Sequence, residues 1–190
     1  MDPDRFVQVE VTSEQELWDW LGQHHGRADS VWLVTWKAES RDRYVSREAV
    51  LDALIAHGWI DGRRLKTDDA RTMQLISPRK QQAWAQSYKT RAARLEAEGR
   101  MHPAGRAAVE VGRRSGKWTV SDPVDALIEP PDLKNALALH GGTTWWQSAA
   151  PSYRRDVLRW IAAARRTETR AARIEKVASL AARGEKVPQY

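Results

Sequence analysis

The segment His57-Gly58-Trp59-Ile60-Asp61-Gly62 decides how the first half of this chain folds. Before it, apolar residues recur at helical spacing from Ala49 to His57, and Gly58 is typical of the residue that ends a helix. After it, Trp59–Lys66 and Thr72–Ser77 form two β-like runs, which predict an antiparallel hairpin. The six residues therefore mark a corner at which a helix ends and a sheet begins.

Further elements are predicted on both sides of this corner. Ser13 and Glu16 form a capping box that opens a first helix, and 30–37 is a central strand because both of its faces are largely apolar. A long helix is predicted over 81–98, and another begins at Pro103. The N-terminal half is therefore predicted to be α+β, with helices around a small antiparallel or mixed sheet.

Beyond residue 116 the sequence predicts helices alone. The stretch 117–131 contains three prolines and is interpreted as a connector. Helices are predicted after it, around 131–139, 152–165 and 167–183. We therefore predict an α+β domain with long helices over 1–116, a connector over 117–131 and a basic, all-helical C-terminal subdomain over 132–190.

Composition excludes several classes of protein. The chain contains no cysteine, which removes disulfides, thiol nucleophiles and cysteine-ligated metals. No apolar run approaches the roughly 18 residues that span a bilayer, and no secretory signal is visible, so we expect a cytoplasmic protein without membrane insertion. The five histidines lack the spacing of metal ligands, and no nucleotide-binding or hydrolase motif is present, so we expect neither a metal nor a cofactor.

The net charge of +6 is unevenly distributed along the chain. Residues 151–190 hold ten Lys or Arg and four Asp or Glu, whereas residues 1–150 hold equal numbers of each sign. Such a segment is typical of a surface for nucleic acid, anionic lipid or an acidic protein, and the alternative is a solvated amphipathic helix pair. The candidate basic surface consists of Arg154, Arg155, Arg159, Arg166, Arg170 and Arg173.

A candidate ligand site lies where the corner meets the basic turn Ser77-Pro78-Arg79-Lys80. Arg79 and Lys80 precede the predicted long helix, where backbone N–H groups and cations together can hold an anion. The candidate ligand-binding residues are Lys37, His57, Trp59, Asp61, Arg79, Lys80 and Trp84, near Arg63 and Arg64. The alternative is structural: Asp61 caps a turn or pairs with an arginine, Trp59 belongs to the core, and the basic turn is solvated.

An ordered series of motifs supports a resemblance to a known family. The series is Gly58-Trp59-Ile60-Asp61-Gly62, Ser77-Pro78-Arg79-Lys80 with Trp84, Glu98-Gly99-Arg100-Met101-x-Pro103-Ala104-Gly105, Pro151-Ser152-Tyr153-Arg154-Arg155, Trp160-Ile161 and Thr167-x-Thr169-Arg170-x-x-Arg173-Ile174. It resembles the YdeI/OmpD-associated family, often labelled bacteriocin-protection proteins, over nearly the whole chain. The resemblance implies the family's fold and an association with bacteriocin or stress tolerance, but no particular reaction.

The resemblance also carries the family's motif positions onto this chain. They are Trp59, Asp61, Gly62, Pro78, Arg79, Trp84, Gly99, Met101, Gly105, Tyr153, Trp160, Arg170 and Arg173. The chain departs from the family at Ser87 and Tyr88, where members often have a polar residue followed by Asn, and at Gln81 and Gln82, where Ser is usual.

Three functional hypotheses follow from these observations. The leading one is a non-catalytic protein that binds an anionic ligand or acidic partner and acts in stress or bacteriocin tolerance. The second is a nucleic-acid-binding module in which the basic C-terminal helices contact phosphates. The third is an enzyme that uses Asp61 or His57 as a general acid or base, and no residue is assigned as catalytic.

Overall fold

A four-stranded sheet in the order β1-β2-β4-β3 forms the centre of the first half of the chain in the computed structural model, which describes residues 6–188. The strands are β1 (Gln8–Glu10), β2 (Val31–Trp36), β3 (Trp59–Lys66) and β4 (Arg71–Pro78). β1 and β2 are parallel, and the other two pairings are antiparallel. The predicted hairpin, the central strand and the mixed sheet are confirmed.

Helices α1 (Glu14–His24) and α2 (Arg47–Ala56) begin at the serines expected to cap them. The Ser13 hydroxyl accepts a hydrogen bond from the Glu16 N–H, and the Ser46 hydroxyl accepts one from the Ala49 N–H. Past the end of α2, Gly58 has a φ of +75°, in the left-handed region that favours glycine. The two helices and the sheet enclose a core that includes Leu17, Leu21, Val31, Leu33, Leu54, Trp59 and Ile76.

Helix α3 (Gln86–Ala97) begins five residues later than the prediction of a helix from Gln81. The intervening loop uses its backbone groups in other ways, because the carbonyls of Gln82 and Ala83 accept hydrogen bonds from Arg79. The Trp84 N–H donates to the Lys117 carbonyl. These contacts replace the i to i−4 pattern that a helix over this stretch would need.

Helix α4 (Pro103–Arg114) crosses α2 at very short range. A Cβ atom at Gly105 would lie 2.1 Å from the carbonyl oxygen of Ala56, so only glycine fits this position. The same carbonyl accepts a hydrogen bond of 3.1 Å from the His102 N–H. The crossing therefore satisfies a carbonyl at the end of α2 that the helix itself leaves unpaired.

The chain divides into two compact units, Met1–Val120 and Ser121–Tyr190. The second unit contains α5 (Asp122–Asp125), α6 (Pro131–His140), α7 (Thr143–Ser148), α8 (Pro151–Ala162) and α9 (Thr167–Ala182). An all-helical C-terminal part is thus confirmed, while the exact domain limits stay a prediction. Within residues 6–188, no helix combines the length and apolar character needed to cross a membrane.

The second unit has a hydrophobic core of its own. Its buried side chains include Leu133, Leu137, Trp146, Val157, Leu158, Ile161, Val177 and Ala178. Two polar groups at the border of this core are paired: the Trp146 indole N–H donates to Glu129 at 2.9 Å, and the Tyr153 hydroxyl accepts a hydrogen bond from the Val187 N–H. Burial of paired groups avoids the cost of an unsatisfied donor.

Candidate functional site

A polar cluster lies where the β3–β4 hairpin meets the start of α3. Its centre is the Asp61 carboxylate, which accepts a short hydrogen bond from the Tyr88 hydroxyl on one oxygen. The other oxygen accepts a hydrogen bond of 3.1 Å from the side-chain amide of Gln74. The strand register shifts between Asp61 and Arg64, and this bulge places both residues near Gln74.

Arg79 lies next to this cluster, with its guanidinium stacked on aromatic rings. The guanidinium carbon is 4.0 Å from the centroid of the Trp84 ring and 5.2 Å from that of Tyr88. Burial lowers the pKa of Arg79 to about 10, and the nearby Tyr88 and Asp61 oppose this shift. Asp61 and Arg79 therefore influence each other electrostatically, although no ion pair joins them in the described part of the chain.

The guanidinium of Arg79 is only partly satisfied by hydrogen bonds. One terminal nitrogen, Nη1, donates to the carbonyls of Gln82 and Ala83 at 3.4 Å and 3.2 Å. The Nε and Nη2 atoms are buried and have no hydrogen-bond partner among residues 6–188. The two carbonyls and the ring stacking therefore fix the position of this charge, while one edge of the guanidinium keeps its donors unused.

Tyr88 is a protonated donor at physiological pH, like any tyrosine, and its surroundings disfavour its ionisation still further. Burial raises the pKa of Tyr88 to about 12, and the hydrogen bond to Asp61 acts in the same direction. The hydroxyl keeps its proton and donates a hydrogen bond to the Asp61 carboxylate, which it holds in place. Both oxygens of Asp61 are thereby engaged by donors of the protein itself.

A pocket of about 280 Å³ opens beside the polar cluster. Its lining residues are Thr35, Trp36, Lys37, Ala38, Glu39, Tyr44, Val45, Arg47, Arg64 and Thr72. We call it the cationic pocket, because its lining contains three cations, Lys37, Arg47 and Arg64, and only one carboxylate, that of Glu39. The pocket thus combines excess positive charge with the aromatic surfaces of Trp36 and Tyr44.

Hydrogen bonds connect the cationic pocket to the polar cluster. Arg64 donates to the side-chain oxygen of Gln74 at 3.0 Å, and the amide of Gln74 donates in turn to Asp61. Lys37 is oriented by a hydrogen bond of 2.6 Å to the carbonyl oxygen of Asp69. Neither Arg47 nor Arg64 forms an ion pair with another described residue, so no carboxylate of residues 6–188 neutralises either charge directly.

The structure brings some of the predicted ligand-binding residues together and separates others. Asp61, Arg79 and Trp84 lie in the polar cluster, and Lys37 lines the neighbouring cationic pocket. Lys80 is exposed in the loop before α3, where its N–H donates to the side chain of Gln82.

His57 and Trp59 lie in the hydrophobic interior. Trp59 is fully buried and packs 5.8 Å from Trp20, measured between ring centroids. His57 is 4% exposed, and its Nδ1 is 2.8 Å from the Ala53 carbonyl. Both are core residues in this structure because the corner that contains them closes the helical layer onto the sheet.

Sequence reasoning missed Arg47, Gln74 and Tyr88. Gln74 had a visible signal, because it is a polar residue at a buried position of a strand between Met73 and Leu75. Arg47 and Tyr88 had none, since they lie on α2 and α3, outside the hairpin. Their position depends on the packing of α2 and α3 rather than on local pattern.

The arginines of the predicted basic surface are mostly engaged within the second unit. Four of them form ion pairs with carboxylates of residues 121–150. Arg154 pairs with Glu129 at 3.0 Å, Arg155 and Arg159 pair with Asp125 at 3.9 Å and 3.1 Å, and Arg170 pairs with Asp132 at 2.7 Å. Arg173 stacks on the Trp160 ring and donates to the Trp160 carbonyl. Arg166 precedes α9 and forms no ion pair within residues 6–188.

Metal-binding side chains do not converge in the part of the chain that the structure describes. No group of three or more His, Asp or Glu residues there has the arrangement of a metal site.

Comparison with protein families divides the chain in two. Residues 9–108, which contain the cationic pocket and the polar cluster, match the model of a domain of unknown function, DUF8412. Residues 126–184 match the family described as bacteriocin-protection, YdeI or OmpD-associated. The resemblance to the latter family is thus confirmed over those residues. No match was found among curated proteins or solved structures.

Proposed function

This chain belongs to the DUF8412 family, whose description specifies no activity, and from its own site we propose that it is a non-catalytic protein that binds a small anion in the cationic pocket. The observation that carries the proposal is the convergence of Lys37, Arg47 and Arg64 on one pocket. Two of these cations, Arg47 and Arg64, have no carboxylate partner among the described residues. An anion would supply the missing counter-charge.

The arrangement favours binding over proton transfer. Asp61 already accepts hydrogen bonds on both oxygens, and His57 is enclosed in the core. A general acid or base must reach the proton that it transfers, and neither group presents a free atom to the cationic pocket. The same engagement makes Asp61 and Gln74 suitable for holding Arg64 in a fixed orientation.

The biological setting of this binding is part of the proposal. The match of residues 126–184 to the bacteriocin-protection family supports a role in protection against bacteriocins, and we extend the proposal to stress tolerance. We propose that the anion is bound in the cytoplasm, where small phosphorylated and carboxylated compounds are abundant. Nucleic acid is the less favoured ligand, because most arginines of the predicted basic surface already have partners.

Calorimetric titration with inorganic phosphate tests the proposal. We expect Arg47→Ala/Arg64→Ala to weaken phosphate binding by about tenfold or more, since hydrogen bonds to charged groups contribute roughly 1.5–3 kcal/mol each. The matched control is Arg41→Ala/Arg63→Ala, which removes the same charge at exposed positions outside the pocket. Equal loss in both double variants, or no phosphate binding by the unmodified protein, would contradict the proposal.

A further inference from the structure

A larger concavity of about 860 Å³ lies between α3 and α4. It shares no lining residue with the cationic pocket. We call it the helical groove and define it by Ala93, Ala97, Met101, Val109, Arg113 and Trp118. Most of this lining is apolar, and the volume lies within the roughly 300–1,000 Å³ range of small-molecule sites.

The helical groove is open because small residues face it from both helices. Ala93 and Ala97 of α3 and Ala107 of α4 leave space where larger side chains would fill it. Trp118 forms a wall, and its backbone N–H donates a hydrogen bond of 2.9 Å to the Gly112 carbonyl. The groove is therefore a built feature of the fold, with a fixed aromatic side.

The base of this wall is held by a close contact between Trp84 and α4. The Trp118 ring lies 5.1 Å from the Trp84 ring, measured between centroids. A Cβ atom at Gly112 would lie 2.4 Å from the Trp84 indole nitrogen, so glycine is required for the indole to lie against α4 at this distance. The position of Trp118 thus depends on buried packing and does not need a ligand.

One cation at the rim of the helical groove is uncompensated. Glu96 pairs with Arg106 at 2.9 Å, and Glu110 pairs with Arg114 at 3.7 Å. Arg113 has no carboxylate partner within residues 6–188, and its guanidinium carbon is 5.0 Å from the centroid of the Trp118 ring. An apolar surface thus ends at a single positive charge.

We propose that the helical groove binds an amphipathic carboxylate, a small molecule with an alkyl or aryl body and one negative charge. The apolar lining would cover the body of this ligand, and the hydrophobic effect would drive its entry. Arg113 would bind the carboxylate, which gives charge complementarity at the rim. This site is independent of the anion site in the cationic pocket, because its ligand requires an apolar body.

Titration with dodecanoate below its micellar concentration tests this proposal. We expect saturable binding of one dodecanoate per chain, and binding of dodecyltrimethylammonium weaker by about tenfold or more because Arg113 repels it. Arg113→Gln should weaken dodecanoate binding by about tenfold. Arg63→Gln is the charge-matched control at an exposed position outside both pockets, and we expect it to bind dodecanoate as the unmodified protein does.

A second pair of variants separates the helical groove from general surface adsorption. Ala93→Phe fills the groove from an exposed position of α3, so the core is not disturbed, and it should abolish binding. Thr90→Phe adds the same ring to α3 outside the groove and should leave binding unchanged. Equal binding by these two variants, or no saturable binding by the unmodified protein, would overturn the proposal.

Two further measurements complete the test. The Arg47→Ala/Arg64→Ala variant should bind dodecanoate as the unmodified protein does. The phosphate experiment and the dodecanoate experiment therefore test the two proposed sites separately, and either proposal can fail alone. Sedimentation measures whether a second copy of the chain occupies the helical groove instead. A dimer that Ala93→Phe dissociates and Thr90→Phe does not would overturn the assignment to a small carboxylate.

Discussion

At the scale of single residues, the imidazole of His57 shows how packing selects one protonation state. The ring lies 5.0 Å from that of His102 and 5.2 Å from that of Trp18, measured between centroids. Its Nδ1 carries a proton, because its partner is the carbonyl oxygen of Ala53, which can only accept. Burial lowers the pKa of His57, and the pKa of His102 is lowered for the same reason. The fold therefore accommodates the neutral imidazole.

The stability of the protein should consequently fall in mild acid. The unfolded chain binds a proton at His57 near the ordinary pKa of about 6.5, whereas the folded chain binds it only at lower pH. The contribution of neutral His57 is complete above pH 6.5 and is lost as the pH falls towards the pKa of the folded state. Urea unfolding should therefore show a lower midpoint at pH 5.5 than at pH 7.5.

His57→Asn provides the control for this pH dependence. Asparagine can retain a donor near the position of Nδ1 but does not titrate, so the difference between the two midpoints should shrink in the variant. His102 keeps its own contribution, and some dependence should remain. The same difference between pH 5.5 and pH 7.5 in both proteins would show that His57 is not the titrating group.

At the scale of elements, a buried carboxylate joins α2 to α3. Asp52 is 8% exposed and accepts hydrogen bonds of 2.6 Å and 2.7 Å from Arg94. Arg91 also donates to Asp52, and it pairs with Glu48 of α2 as well. Burial opposes the ionisation of Asp52, but the hydrogen bonds from Arg94 and Arg91 outweigh it, and the pKa of Asp52 is lowered.

Removing this carboxylate should destabilise the N-terminal unit. Asp52→Ala leaves two arginines without their shared partner, and we expect the free energy of unfolding to fall by about 3 kcal/mol. Glu98→Ala breaks the exposed pair between Glu98 and Arg94 and should cost less than about 1 kcal/mol. Urea unfolding followed by circular dichroism measures both values. Similar losses in the two variants would mean that the Asp52 network does not hold α2 and α3 together.

Local signals explain which elements could be predicted from sequence. Ser13, Ser46 and Gly58 determine helix ends through their own backbone and side chains, so their patterns were sufficient. The start of α3 was predicted wrongly because Gln81 and the residues that follow it are mostly of types that favour a helix. Its loop is instead held by contacts with Arg79 and, through Trp84, with Lys117.

The candidate site was predicted in part for the same reason. Asp61 and Arg79 lie on adjacent strand ends, and hairpin pairing alone places them near each other. Tyr88 and Arg47 reach the site only after α3 and α2 have packed, which no short pattern records. His57 has helical spacing with its neighbours, and that periodicity indicated a buried face as much as a functional one.

At the scale of the whole molecule, the charge is divided equally between the two units. Residues 1–120 hold 20 basic and 17 acidic side chains, and residues 121–190 hold 11 and eight, so each unit carries +3. The excess of the last forty residues is reduced because four acidic residues of 121–150 belong to the same unit. Most of these carboxylates pair with its arginines.

This pairing leads us to expect little affinity of the predicted basic surface for nucleic acid. Fluorescence anisotropy with labelled single- and double-stranded oligonucleotides should show no steep, salt-dependent binding through this surface between roughly 50 and 200 mM salt, because few of its arginines are available to release counterions. An Arg155/Arg159/Arg170/Arg173→Ala variant should behave like the unmodified protein. Tight binding that falls steeply with salt and is lost in the variant would instead support a nucleic-acid surface.

The contact between Gly105 and the Ala56 carbonyl also limits how related chains can diverge. Any side chain at this position must move α4 away from α2 by enough to admit a Cβ atom, which would shift the cap at His102 as well. Exposed positions of the same helices can change without this consequence. A distant relative that has glycine at this position can therefore retain the same spacing between the two helices. A relative that has a larger residue there must have a different helix crossing, however high its overall sequence identity to this chain.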